Sequence, residues 1–366
     1  DESGSVWIKA SPMHQSNRLL PLLIFLLVSC QAATEPTPTS PPSTATHTSP
    51  TLPALQTLSA VNASQLEAVW EFDPDTDEYA REMCAAAFSP DSRYLAAACI
   101  STTLPLWDMQ TGEVVHEFSG LGVLWVSVAF SPDGSRLAAG GLDDEIYIWD
   151  TTSFELVQRI KTSSQMVWEL DFSPDGQSLL SCNLYNDVDV WEIESGQSTL
   201  HLQAHELRTN TVSFSPDGAL IISGGGDNLA RIWNATTGEE LVELSGAAFY
   251  IEDVEFHPGQ PLVLGASDDS RVRLWNSETG ELVHTLRGHG GPVNGATFSP
   301  DGNLIASGSN DTTLRIWSVS SGELVHTARG HTDLVLRPAF SPDGRLIATV
   351  SWDGTVIVWG VPEDQS

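Results

Sequence analysis

The chain has 366 residues, 41% of them apolar, and carries 48 Asp plus Glu against 16 Lys plus Arg, a formal charge of −32. That imbalance excludes docking onto a phosphate backbone by counter-charge and disfavours adsorption to anionic lipid, so no nucleic-acid partner is expected. The apolar fraction is enough for one large core.

In chain order, the sequence opens on Asp1 and reaches its first methionine at Met13, so residues 1–12 are read as a non-native or upstream extension. Arg18 and the apolar run Leu19 to Val28 follow, too short to span a bilayer comfortably and ending in small residues, which reads as a signal peptide over 13–29. Its end, Leu27-Val28-Ser29-Cys30, resembles the lipobox of bacterial lipoproteins. The resemblance implies lipidation of Cys30 and an extracytoplasmic domain held in the cell envelope, at the outer membrane where there are two, given Gln31. An ordinary cleaved signal with an incidental cysteine is the alternative, and either one exports the domain. Residues 30–60 are rich in Thr, Ser, Ala and Pro and read as a tether, extending about 3.1 Å per residue at most.

Residues 61–362 keep one beat, with 363–366 as a tail. Trp107, Trp149, Trp191, Trp233, Trp275, Trp317 and Trp359 are each 42 residues apart, and Phe88, Phe130, Phe172, Phe214, Phe256, Phe298 and Phe340 each precede a tryptophan by 19. A fixed period of this size marks a unit that buries its apolar face only by stacking on its neighbours. Within one unit, Val293 to Phe298 alternates up to the turn Ser299-Pro300-Asp301-Gly302, and Leu304 to Ser309 alternates up to Asn310-Asp311. Thr313 to Trp317 and Leu324 to Thr327 complete it. Four short strands per unit predict a small antiparallel sheet, and seven such sheets an all-β, seven-bladed propeller.

The pattern resembles the WD-repeat (Trp-Asp) family from about Leu66 to Val361, the dipeptide itself standing at Trp107-Asp108 and Trp149-Asp150. The resemblance implies a structural tetrad of His, Ser or Thr, Asp and Trp in each blade. It is complete in His205, Ser223, Asp227 and Trp233, in His289, Ser307, Asp311 and Trp317, and in His331, Thr349, Asp353 and Trp359, so blades 4, 6 and 7 are expected to be the rigid ones. These sets mimic a hydrolase triad, but their recurrence at blade spacing makes them structural. Blade 5 keeps Asp269 but has Ala247 and Gly265 for the His and Ser. Tyr79, Leu121 and Ser163 replace the His in blades 1 to 3, and Ser101 and Tyr185 the Asp in blades 1 and 3. The seventh copy is one strand short, so Leu66 to Phe72 is assigned as its outer strand, closing the ring.

Cys84 and Cys99 both lie on the first hairpin of blade 1 and their numbers sum to 183, like those of the flanking pair Phe88 and Leu95. They are therefore expected to face each other as a possible disulfide, with Cys182 left as a small buried residue. His116, His284 and His326 fall at one register on the outer strands of separate blades, where no zinc site follows. The run Asp73, Asp75, Asp77 lacks the glycine and the twelfth-position acid of a calcium loop. No metal or cofactor is expected.

In WD-repeat propellers, partners meet the face carrying the turn-Asp loops. At those positions blades 7, 1, 2 and 3 offer Leu334, Leu336, Trp352, Ile100, Leu124, Val126, Leu142, Met166, Trp168 and Leu184. Blades 4 to 6 offer Arg208, Asn210, Glu252, Asp268, Asn294 and Asn310, interrupted by Tyr250. An apolar half-face predicts a protein-contact surface, unless its side chains turn inward and plug the channel. The expectation is a non-enzymatic interaction scaffold for an unidentified protein, tethered to a membrane and monomeric by itself. The rival classes are a ligand- or glycan-binding propeller and, less favoured, a hydrolytic enzyme with its site at the central channel.

Overall fold

The computed structural model describes residues 52–72, 83–162 and 166–363. Cys30 with its lipobox, the tether up to residue 51, the Asp73 to Asp77 run, Tyr79 and Ser163 lie outside the described residues, as do the side chains of Cys84 and Cys99.

Strand formation follows the alternation. In blade 6 the strands Val293–Phe298, Leu304–Ser309, Thr313–Ser318 and Leu324–Arg329 pair in sequence order. The first hairpin turns on a Ser-Pro-Asp-Gly motif held by its own side chains. Ser299 Oγ donates to Asp301 Oδ1 at 2.6 Å and accepts the Leu304 N–H at 2.9 Å, while Gly302 takes the left-handed φ of +72° the turn requires. The same Ser–Asp bond of 2.6 Å recurs at Ser89, Ser131, Ser173, Ser215 and Ser341. Blade 5 substitutes His257, whose Nε2 donates to the Gly302 carbonyl of blade 6 at 3.0 Å while Nδ1 accepts the Gly259 N–H.

Six blades are four-stranded antiparallel sheets of consecutive strands, and the innermost strand of each packs on that of the next. The seventh sheet joins Ala339–Phe340, Leu346–Val350 and Val356–Pro362 to two strands from the other end of the chain. Glu67–Phe72 pairs with 356–360, as the closure assignment requires, and the ring is complete. A second strap was not foreseen: Leu55–Gln56 pairs with Pro362 and Val361, and Leu58 and Ala63 are buried beneath it. The tether boundary at residue 60 is therefore corrected, because Leu55 and Leu58 supply apolar surface to the blade 7 core in a segment otherwise polar.

Each blade Trp is buried between its own blade and a neighbour, Trp275 and Trp317 at 1% exposure and Trp359 at 2%. Cys182 is buried as expected, and His116, His284 and His326 sit half-buried on outer strands. The inner hairpins carry a recurrent bulge, between Met83 and Ala85 in blade 1 and at the matching position in blades 2, 4, 5 and 6. It shifts the register by one, so Cys99 pairs with Met83 while Cys84 is the bulged residue. The direct Cys84–Cys99 opposition expected from the sum of 183 therefore does not occur, although that sum holds from Phe88–Leu95 to Ala85–Ala98.

Candidate interaction face and central channel

The three complete tetrads form as expected. In blade 6 the Trp317 indole N–H donates to Ser307 Oγ at 2.8 Å, Ser307 meets His289 Nε2 at 2.8 Å, and His289 Nδ1 meets Asp311 Oδ2 at 3.0 Å. Blade 4 repeats this through Trp233, Ser223, His205 and Asp227, each step 2.9 Å, and blade 7 through Trp359, Thr349, His331 and Asp353, at 2.8, 2.8 and 3.1 Å. One neutral imidazole tautomer satisfies the chain, Nδ1–H donating to the carboxylate and Nε2 accepting from the hydroxyl. Burial lowers the pKa of His289 and of His331. Burial opposes ionisation of Asp311, yet hydrogen bonds from His289 and Thr313 hold it well below the usual carboxylate range. Ser223, Ser307 and Thr349 have no exposed surface and their oxygens already accept an indole N–H, so none can reach a substrate carbonyl.

The other blades replace the network with different chemistry. In blade 5 the Trp275 indole turns to the Ser245 carbonyl at 3.0 Å, and a Cβ on Gly265 would lie 2.8 Å from its ring, so the missing serine hydroxyl makes room for the shifted tryptophan. Asp269 is gripped there by both terminal nitrogens of Arg273, at 3.1 and 2.6 Å. In blade 2 the Tyr147 hydroxyl donates to Asp143 at 2.8 Å, and Trp125 packs edge-on against Tyr147 and Trp149. Burial and the bond to Asp143 raise the Tyr147 pKa. Blade 3 keeps one link, Trp191 to Ser181 at 2.8 Å.

On the turn-Asp face, the expected apolar set is more enclosed than its positions suggest. Ile100, Val126 and Met166 are buried, at 4%, 2% and 5% exposure. Leu124, Leu142, Trp168, Leu184, Leu334, Leu336 and Trp352 are half-buried, with Leu336 and Trp168 packed on blade cores. That half-face is a floor. The prominent side chains stand elsewhere: Tyr185 of blade 3 is 62% exposed, and on the half expected to be polar Leu207 is 52% and Phe249 50% exposed. Asn186 accepts the Ala204 N–H, placing Tyr185 beside the loop that carries Leu207. Arg208 lies over the Tyr250 ring at 4.8 Å and bonds Glu252 at 2.8 Å, joining that loop to the one bearing Phe249. Leu207 and Phe249 share one repeat position, one residue before the positions compared in the sequence, so their signal was present but displaced by one.

The channel holds a constellation that sequence reasoning missed. Innermost strands leave a row of N–H groups without a ladder partner, and in blades 3 to 5 side chains of one blade satisfy the next. Glu169 accepts from the Val212 N–H at 2.9 Å, Asp171 from Phe214 at 2.7 Å, Asp253 from Ala296 at 3.0 Å and Glu255 from Phe298 at 2.8 Å. Arg337 of blade 7 reaches across to Glu169, to the carbonyls of Asn210 and Glu252 at 3.0 and 2.8 Å, and to Asp253 at 3.7 Å. Burial opposes its charge, but Glu169 and Asp253 raise its pKa above that of an ordinary guanidinium. Burial pushes Asp171 up to about 6 and Glu255 up to about 8. The available signal was acid at alternate positions of an inner strand, in Glu169-Leu170-Asp171 and Asp253-Val254-Glu255.

No group of three His, Cys, Asp or Glu among the described residues is placed to hold a metal ion. No curated protein matches the chain. The family model for the WD domain, G-beta repeat matches seven times, over residues 80–108, 112–150, 154–192, 196–234, 238–276, 280–318 and 322–360. Each match ends one residue after a blade Trp, so the sequence period, the seven sheets and the tetrads describe one unit, and the chain belongs to the WD40 repeat family.

Proposed function

We propose that this propeller is a non-enzymatic protein-interaction scaffold of the cell envelope, held to a membrane through lipidated Cys30, whose contact face is the turn-Asp end of the disc. WD40 propellers are common protein-interaction scaffolds, and the observation carrying the reading here is the exposed trio Tyr185, Leu207 and Phe249 around Arg208. Large apolar side chains held half in water beside an arginine are the composition of interface anchors. The half-buried floor of Leu124, Trp168, Leu334 and Trp352 extends the same end and gives a partner apolar ground beyond the anchors. The enclosed tetrad hydroxyls support the non-enzymatic reading.

A photoreactive side chain at position 207 should crosslink to one protein in an envelope preparation, and one at Asp217, on the opposite end, should not. The double change Leu207→Glu with Phe249→Glu should abolish capture while leaving the melting temperature unchanged. Recovery of polysaccharide alone would replace the protein-scaffold reading with the glycan-binding one. Cys30→Ala should release the protein from membranes, and its retention there would remove the lipid anchor.

A further inference from the structure

The end of the channel opposite the proposed contact face is open. A cavity of about 390 Å³ lies where the innermost strands of blades 3 to 7 run into their first turns. The exposed prolines Pro174, Pro216, Pro258, Pro300 and Pro342 rim it, one from each of five successive blades, and the ends of the innermost strands form its wall. That wall contains Asp171 and Glu255, from blades 3 and 5, and the hydroxyl-bearing Ser213 and Thr297, from blades 4 and 6. The volume falls in the range that accepts a small organic group.

Charge decides what group. Each carboxylate accepts a backbone N–H through one oxygen, and among the described residues neither forms an ion pair with Lys, Arg or His. Arg337, which crosses the channel, is committed to Glu169 and Asp253 one layer deeper. Glu255 is close enough to Asp253 and Asp171 to feel the charge of both. Two carboxylates in an open, proline-rimmed recess without a counter-ion form a site complementary to a cation. A bare divalent ion is a poor fit, because the two acids come from non-adjacent blades and, among the described residues, no third His, Cys, Asp or Glu is placed to complete a metal site with them. An ammonium head suits the arrangement better: its three N–H donors match acceptors spread over Asp171, Glu255, Ser213 and Thr297, and an alkyl stem can lie on the prolines.

We infer that this mouth of the channel binds a primary alkylammonium group, carried by a lysine side chain or by a free polyamine, with Asp171 and Glu255 as its counter-charges. The inference does not rest on the proposed contact face and can fail independently of it. Facing the site are Asp171 and Glu255, and behind them Asp253, Glu169 and Arg337, the last fixed in its charged form. Because burial holds Glu255 protonated up to about pH 8 when the site is empty, a bound cation must displace that proton, and binding should strengthen as pH rises from 6 to 8.

The test is calorimetric titration of the full chain at pH 8 in about 0.15 M salt, where exposed pairing is screened, with cadaverine and with N-acetyl-lysine methylamide. The expected result is 1:1 binding of at least one probe, weakened about tenfold or more by Glu255→Gln and by Asp171→Asn, and unchanged by Glu194→Gln at an exposed acid. Matching affinities for both probes identify a lysine side chain as an acceptable occupant, and binding of cadaverine alone identifies the free amine. Gln and Asn keep an acceptor for the Phe298 and Phe214 N–H groups, and a melting curve verifies folding. Independently of any variant, the Phe214 and Phe298 amide resonances of the unaltered protein should shift on titration. Equal binding by the wild type and the double variant, several-fold stoichiometry, a response to Mg²⁺ alone, or no binding with unmoved resonances would each overturn the inference.

Discussion

Blades 6 and 2 bury the same tryptophan at the same repeat position, 1% exposed as Trp317 and 4% as Trp149, and surround it with different chemistry. Blade 6 uses a directed chain of four polar groups, whereas blade 2 stacks Trp125, Tyr147 and Trp149 and keeps one polar link, Tyr147 to Asp143. The difference teaches that the repeat demands a filled space around its indole rather than one fixed network, since blade 2 leaves the Trp125 indole nitrogen without a hydrogen-bond partner among the described residues. A polar network fixes geometry but collapses when one member is lost, while an aromatic cluster degrades gradually.

The largest expected effect comes from cutting the tie between the two kinds of blade. Arg337→Met removes the guanidinium that links blade 7, with its complete tetrad, to the substituted blades 3 and 5, and leaves Glu169 and Asp253 facing each other. Breaking an enclosed pair of this kind should cost about 4 kcal/mol, read as a lower denaturation midpoint at unchanged slope. Next, Asp311→Ala in blade 6 should cost about 3 kcal/mol, because His289 and the Gly290 N–H both lose their acceptor. Asp143→Ala in blade 2 should cost only about 1 kcal/mol, and equal losses in chemical denaturation would erase the distinction drawn here. The serine pair makes the same contrast on a smaller scale than the aspartate pair: Ser307→Ala should cost about 2 kcal/mol and Ser181→Ala about 1 kcal/mol, since the first orphans both an indole and an imidazole and the second an indole alone.

The smallest effect is in the pH profile, where tetrads and channel pull in opposite directions. Asp311 and Asp353 sit below the usual carboxylate range, so their contribution is present above it and is lost as pH falls below about 4. His289 and His331 are lowered by burial, so their blades lose stability as pH falls below about 6.5, where the unfolded chain binds protons first. Glu255 is raised to about 8, so the native state keeps a proton that the unfolded chain has shed, and stability declines as pH rises from the ordinary carboxylate range to 8. Glu255→Gln should therefore raise the melting temperature by about 1–2 °C at pH 8 and leave it unchanged near pH 4. A gain of the same size at both pH values would mean that its proton is not involved.

Periodic features were legible in the sequence and one-residue features were not. Trp317, Phe298, Ser299 and Asp301 each recur, so their strands and turns follow from spacing, and the tetrads from the resemblance to WD repeats. The bulge that sends Cys99 to Met83 inserts no residue into the 42-residue beat, because every affected blade carries it, and it therefore left no trace in the count. The contact face was compared at Arg208 and Tyr250 while the exposed groups were their predecessors Leu207 and Phe249, since a bulged strand start does not keep strict alternation. Glu169, Asp171, Asp253 and Glu255 were hidden for another reason. Nothing in a strand of alternating acids says whether its polar side meets water or the unpaired N–H row of a neighbouring blade, and only ring closure settles that.

The strand Val356–Pro362 is gripped by three partners, Leu346–Val350, Glu67–Phe72 and Leu55–Gln56. In mechanical terms it is the clasp of a bracelet. Any pull on the chain before Leu52 reaches the disc first through the two bridged residues at the end of that strand, next through the longer ladder from Glu67 to Phe72, and only then through the ring. A load applied there meets a short, yielding catch before a strong one, and it enters at blade 7, where the His331, Thr349, Asp353 and Trp359 network is whole.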